Sequence, residues 1–145
     1  MRVRDLLDRK AARLFTIEPS VHVDVAISQM LAHDVGGLPV TTHDGKLVGF
    51  ISERDVLRAA GVNGGMFYQV RVQDVMQRPS TCQASDRVMD AMRRMTAERL
   101  RHLIVIDRDK IAGVISVGDI VKERLEELEM ETGVLRDYVA AQRAR

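Results

Sequence analysis

The chain has 145 residues, 46% hydrophobic and 30% charged, with a formal net charge of +1. That length and balance suit one ordinary soluble domain or two very small ones, and the basic surplus of a general nucleic-acid binder is missing. With no Trp and 3% aromatics, the core must be aliphatic, with eight Met as adaptable filler.

Cys82 is the only cysteine, so no intrachain disulfide can form and a reducing compartment is the natural setting. No apolar run approaches the length of a membrane span. The Arg-rich stretch from Met1 to Phe15 carries Asp5 and Asp8 and lacks the apolar segment of a signal peptide. These features predict a cytoplasmic protein.

In chain order, Leu14–Ile17 reads as a short extended stretch ending at Glu18-Pro19. A helix is predicted from about Val21 to His33, with Val25, Ala26, Met30 and Leu31 on one face. Gly36-Gly37 stops it, and Leu38–Thr41 reads as a strand. His43-Asp44-Gly45-Lys46 is a turn, and Leu47–Ile51 the returning strand. Ser52 opens a second helix, which Gly61 ends. The same order then repeats: an extended piece at Ser80–Cys82, a helix from Ser85-Asp86 to Met95, a strand at Leu103–Ile106, a turn at Asp107–Lys110, a return strand at Ile111–Ile115 and a helix from Ser116.

The repetition is explicit in the sequence. Gly49-Phe50-Ile51-Ser52-Glu53-Arg54-Asp55 recurs 64 positions later as Gly113-Val114-Ile115-Ser116-Val117-Gly118-Asp119. The same offset, taken without a gap, pairs Leu47 with Ile111, Val40 with Ile104, Leu31 with Met95 and Val25 with Met89. A fixed-period repeat sets the architecture before any single residue does. A unit of this size is marginal alone, so the two should pack on each other. The expected division is 1–62 for the first unit, 63–76 for a connector with the second unit's leading segment, 77–125 for the second unit and 126–145 for a C-terminal extension. The fold class is α+β: two pseudo-symmetric β-α-β-β-α units of mixed sheet and covering helices, plus a C-terminal helix.

That extension carries an apolar stripe at Val121, Leu125, Leu128, Leu135 and Val139, with Thr132 in the remaining position and Gly133 weakening the helix. Such a stripe either folds back on its own domain or forms the seam of a homodimer.

Ser-x-x-Asp at a helix start is a capping box. It also sits where anions bind, because helix N-termini expose N–H groups. The Asp, one turn in, can accept from the two vicinal hydroxyls of a ribose. Two copies at one register, each after the same hairpin, make capping alone an incomplete account.

The repeat resembles the cystathionine β-synthase (CBS) domain, and two in tandem resemble a CBS pair, or Bateman module. The likeness covers nearly the whole chain. It extends to a bacterial stand-alone subfamily through Ser52-Glu53-Arg54-Asp55 and Arg101-His102-Leu103. The resemblance implies two clefts able to hold adenine nucleotides: AMP first, with ADP, ATP, NAD or S-adenosylmethionine as alternatives. By position, it implies that Ser52 with Asp55 serve one cleft, framed by Thr16, Gly37, Leu38 and Val40. Ser116 with Asp119 would serve the other, framed by Thr81, Arg101, His102 and Ile104. Arg54 and Lys10 are phosphate candidates. Ile104 stands where the family usually has Pro, and Gly118 stands at the Arg54 position, so the clefts should differ.

His22, His33 and His43 lack metal-ligand spacing, and no metal is expected. No nucleophile elbow, Walker loop or dinucleotide GxGxxG occurs. The expected function is a regulatory nucleotide sensor, not an enzyme, acting as a homodimer by contact with another protein. The alternatives are a structural interaction module with empty clefts and, behind it, an enzyme.

Overall fold

The computed structural model describes residues 1–11 and 13–143. The elements run α1 (Val3–Lys10), α2 (Val23–His33), β1 (Gly37–Thr41), β2 (Leu47–Ser52), α3 (Glu53–Asn63), a 3-10 turn (Gly64–Gln69), α4 (Val72–Val75), β3 (Thr81–Gln83), α5 (Val88–Glu98), β4 (His102–Asp107), β5 (Lys110–Ser116) and α6 (Val117–Arg143). The mixed α+β architecture matches the sequence reading. No helix among the described residues is long and apolar enough to cross a membrane.

Each repeat centres on an antiparallel hairpin, β1-β2 or β4-β5, in which Leu38 faces Ile51 and Leu103 faces Ile115. In the second repeat β3 adds a parallel strand to β4. There the Ile104 N–H donates to Ser80 O at 2.9 Å. The first repeat has Pro39 at the matching place, which has no N–H to give. Its leading strand accordingly shrinks to one bridge, Ile17 to Val40. The bridge survives because the Ile17 N–H donates to Pro39 O and the Thr41 N–H to Ile17 O.

The ungapped offset of 64 holds only after the hairpin turn. Before it, the repeats match at 65. Val23, Ala26 and Met30 are buried in α2, and Val88, Ala91 and Met95 in α5. Gly37 faces Ser52 as His102 faces Ser116. The first repeat has one residue more in its hairpin turn, so Val40 corresponds to Val105 and not to Ile104. Two residues given to the core face of α2 change sides as a result: Leu31 is 77% exposed and Val25 37%.

Two cores result, and neither follows the linear division of the chain. α2 and the β1-β2 hairpin enclose Leu38, Val40 and Ile51, together with Val72 of α4. α5 and the β4-β5 hairpin enclose Leu103, Val105 and Ile115, together with Val3 and Leu6 of α1. The short leading helices are thus exchanged: α1 covers the second repeat and α4 the first. Each fully buried aliphatic side chain contributes about 1.5–3 kcal/mol, so this exchange ties the repeats into one unit. Buried Glu123 of α6 reinforces it by pairing with Arg9 of α1. Cys82 lies in the second core, where burial and then Asp86 push its thiol up to about 11.

Candidate functional site

The two Ser-x-x-Asp motifs fold alike because the strand runs straight into the helix. Ser52 is extended (φ −114°, ψ 166°) and caps α3. Its N–H donates to Asp55 Oδ2 at 2.8 Å, and the Asp55 N–H donates to Ser52 Oγ at 3.3 Å. At α6 the Ser116 N–H donates to Asp119 Oδ2 at 2.8 Å and the Asp119 N–H to Ser116 Oγ at 3.1 Å. Both capping boxes are therefore formed.

The helix starts offer less to an anion than the sequence suggests. The Glu53 N–H already donates to Gly36 O at 3.0 Å, and the Val117 N–H to Arg101 O at 3.0 Å. With the third N–H of each helix on its Ser, the second remains, at Arg54 and at Gly118. Side-chain cations must supply the rest of any phosphate contact.

The carboxylates differ in what they leave open. Asp55 is buried. Its Oδ2 also accepts from Ser52 Oγ at 2.9 Å, its Oδ1 accepts from Gln77 Nε2 at 3.3 Å, and Arg58 lies 3.5 Å away. Asp119 is partly exposed and takes Lys10 Nζ on Oδ2 at 2.8 Å. Among the described residues its Oδ1 has no partner.

Two cavities lie between the repeats, and the motifs enter them crosswise. A cavity of about 290 Å³ joins Ser116 and Asp119 of the second repeat to Gly37 and Leu38 of the first, with Lys10 and Phe15. A cavity of about 590 Å³ joins Ser52, Arg54 and Asp55 of the first repeat to Arg101, His102 and Ile104 of the second. The sequence reading pairs each motif with the strand of its own repeat, and His102 does lie with Ser116 and Asp119. Gly37 and Leu38 instead lie with Asp119, and Ile104 with Asp55, because each helix start also opens toward the strand of the opposite repeat.

His102, like Gly36, lines both cavities. Its ring sits 5.2 Å from that of Phe50, tilted by 41°. The Phe50 ring in turn occupies the place of a Cβ on Gly37. Burial first, then Lys10, holds the imidazole below its ordinary pKa of 6.5.

Val40 is fully enclosed in the first core, and Thr16 and Thr81 are half-buried away from both cavities. The motif reading missed the stacked pair Phe15 and His33, with ring centroids 3.6 Å apart, in the smaller cavity. It also missed Arg58, Arg78 and Arg99 in the larger. The one available signal was charge density at Gln77-Arg78 and Arg99-Leu100-Arg101, which lie on loops and have no periodicity to flag them.

The CBS-domain family model matches residues 3–61 and 72–126. The chain is 34% identical over 119 residues to the mitochondrial CBS domain-containing protein CBSX3 of Arabidopsis thaliana, an alignment covering 79% of this chain and 58% of that protein. The chain thus spans under two thirds of that relative. The crystal structure of the CBS-domain containing protein ATU1752 from Agrobacterium tumefaciens matches with a TM-score of 0.79 and 36% identity, over 85% of this chain and 98% of that one. The crystal structure of CBSX2 in complex with AMP matches with a TM-score of 0.66 and 30% identity, over 79% and 89%. With both repeats matched and the crossed cavities between them, this chain belongs to the CBS-domain family as a tandem pair.

Proposed function

We propose that the protein is a regulatory adenine-nucleotide sensor, binding AMP between its repeats and signalling by contact with another protein chain. One observation carries the reading: each cavity places a Ser-x-x-Asp helix start from one repeat against the strand of the other. A ligand there touches both repeats, so occupancy bears on their relative packing. The AMP-bound structure of CBSX2 supports the choice of ligand class. In the smaller cavity, Asp119 Oδ1 offers the ribose acceptor, Lys10 and Ser116 face the phosphate, and Leu38 with Phe15 supply an apolar wall for the base. The reading is of a non-enzymatic, cytoplasmic module.

A homodimer through α6 completes the proposal. Val121, Leu125, Leu128, Thr132, Leu135 and Val139 alternate spacings of four and three, the heptad seam of a coiled coil, and the five apolar ones are exposed by 44–65%. α6 does not fold its stripe back onto the domain. In a parallel pair, Arg124 would flank Glu129 of a second copy, and Glu131 would flank Arg136. Opposite charges at both places favour a second copy over an unrelated helix.

The test is a melting series on the purified chain with AMP, NAD, S-adenosylmethionine and guanosine monophosphate. AMP should raise the midpoint most, by RT ln(1 + [L]/Kd) in stability. Absorbance at 260 nm relative to 280 nm should also reveal co-purified nucleotide, since the protein has no Trp. No response to any adenine compound would leave an interaction module with empty clefts.

A further inference from the structure

The two cavities carry very different charge. The smaller has two cations, Lys10 and Arg13, against two carboxylates, Asp34 and Asp119. The larger has five arginines: Arg54, Arg58, Arg78, Arg99 and Arg101. Only Glu53 and Asp55 oppose them there. Among the described residues, Arg58 pairs with Asp55, while the other four arginines have no carboxylate within ion-pair distance. Like charges gathered around one concave site repel each other, and low-dielectric walls sharpen their field.

The asymmetry is local to the cavity and comes from matched positions. Arg99 and Asp34 are both the left-handed residue closing the repeat's first helix, at φ 55° and 52°. Arg101 stands where the first repeat has Gly36, and Arg54 where the second has Gly118. At each matched place the larger cavity gains a guanidinium that the smaller lacks. An arginine presents paired donors that fit phosphate oxygens bidentately.

The larger cavity also has the room. It is about twice the volume of the smaller, and a shallower depression of about 620 Å³ adjoins it, sharing Arg54, Arg99 and Arg101. These three side chains therefore border a continuous groove from Ser52 across to the start of α6. Helix N–H groups are scarce there, as described above, so the guanidinium groups are the main anion ligands.

We propose that the larger cavity selects a nucleoside triphosphate, its phosphate chain lying along Arg54, Arg99 and Arg101, while the smaller takes a nucleotide of lower charge. The proposal rests on the nucleotide reading above and assigns the two cavities different members of that class.

The experiment is calorimetric titration of the full-length chain with AMP, ADP, ATP and inorganic tripolyphosphate. The comparison protein is the double variant Arg99→Asn/Arg101→Ala. Asn tolerates the left-handed position of residue 99, and Ala at 101 leaves the carbonyl that accepts from Val117. Wild type should bind ATP at least about tenfold more tightly than AMP, the scale of one charge-assisted bond, and should bind tripolyphosphate. The variant should lose about tenfold or more for ATP and tripolyphosphate, with AMP unchanged within about twofold. Equal affinity for AMP and ATP in wild type, or an equal loss of both in the variant, overturns the assignment and leaves the nucleotide reading intact. Tripolyphosphate binding without any nucleotide binding overturns the nucleotide reading and keeps the anion cavity. If none of the four binds, both fall.

Discussion

Met76 occupies the space that a side chain on Gly49 would need: its Sδ lies 2.5 Å from the position of a Cβ there, and Gln77 O lies 3.0 Å away. The first glycine of the repeated motif is thus a packing requirement, not a phosphate contact. It lets the chain after α4 cross β2, where the Phe50 and Gln77 N–H groups each donate to the other's carbonyl at 2.9 Å. Gly113 plays the same part beneath Leu7 of α1, at a looser 3.0 Å.

Gly49→Ala should therefore destabilise the chain by about 1–3 kcal/mol, the range for overpacking. Gly113→Ala should cost less, because the nearest atom is the tip of a flexible leucine. Urea melts of both variants check this. Equal effects would mean that the crossing at Gly49 relaxes freely.

Much of this fold was legible in the chain. Both hairpins follow from short apolar strands around polar turns, and Ser52 and Ser116 mark their helix starts by residue type. Three things were not legible. The register before the hairpin was masked by a one-residue difference, because Leu31 and Met95 make as plausible an ungapped pair as the true match, Met30 and Met95. The exchange of α1 and α4 is a tertiary choice, since Val3 and Val72 look alike in sequence and nothing local says which core each enters. The crossing of motifs and strands follows from the repeat–repeat interface, which no spacing within one repeat encodes.

The stripe on α6 gives a second prediction. Leu128→Glu/Leu135→Glu places charge on the proposed seam, at exposed positions outside both cores. The double variant should be monomeric by light scattering, while its melting in the monomer range stays close to wild type. A variant that remains dimeric would move the self-contact elsewhere on the surface.

His102 predicts a pH dependence. Its folded pKa lies below the unfolded value of 6.5, chiefly through burial and secondly through Lys10. As pH falls below about 6.5, the unfolded chain takes up a proton that the folded one resists, so this histidine's contribution to stability declines. Above 6.5 the contribution is complete. The stability difference between wild type and His102→Gln, taken from urea melts, should therefore shrink on going from pH 7.5 to pH 5.5. A difference that does not change with pH would show that the ring titrates alike in both states.

The two motif aspartates should separate capping from ligand binding. Asp55 is buried with both oxygens engaged, by Ser52, Gln77 and Arg58. Asp119 is more open, and its Oδ1 is unpartnered among the described residues. Replacement by Asn keeps size and some capping ability but removes the charge. Asp55→Asn should cost about 1–3 kcal/mol without any ligand, since bonds to a buried charged group are lost. Asp119→Asn should cost the apo protein less, and it should also free Lys10. With AMP the order reverses. The nucleotide-induced rise in melting midpoint should shrink in Asp119→Asn, because a charged acceptor for the ribose hydroxyls is gone. It should persist in Asp55→Asn once the lower starting point is taken into account. Deoxyadenosine monophosphate, with one hydroxyl fewer, should already give wild type a smaller rise than AMP. If Asp119→Asn responds to AMP like wild type, its carboxylate serves only to cap α6 and hold Lys10, and the ribose contact lies elsewhere.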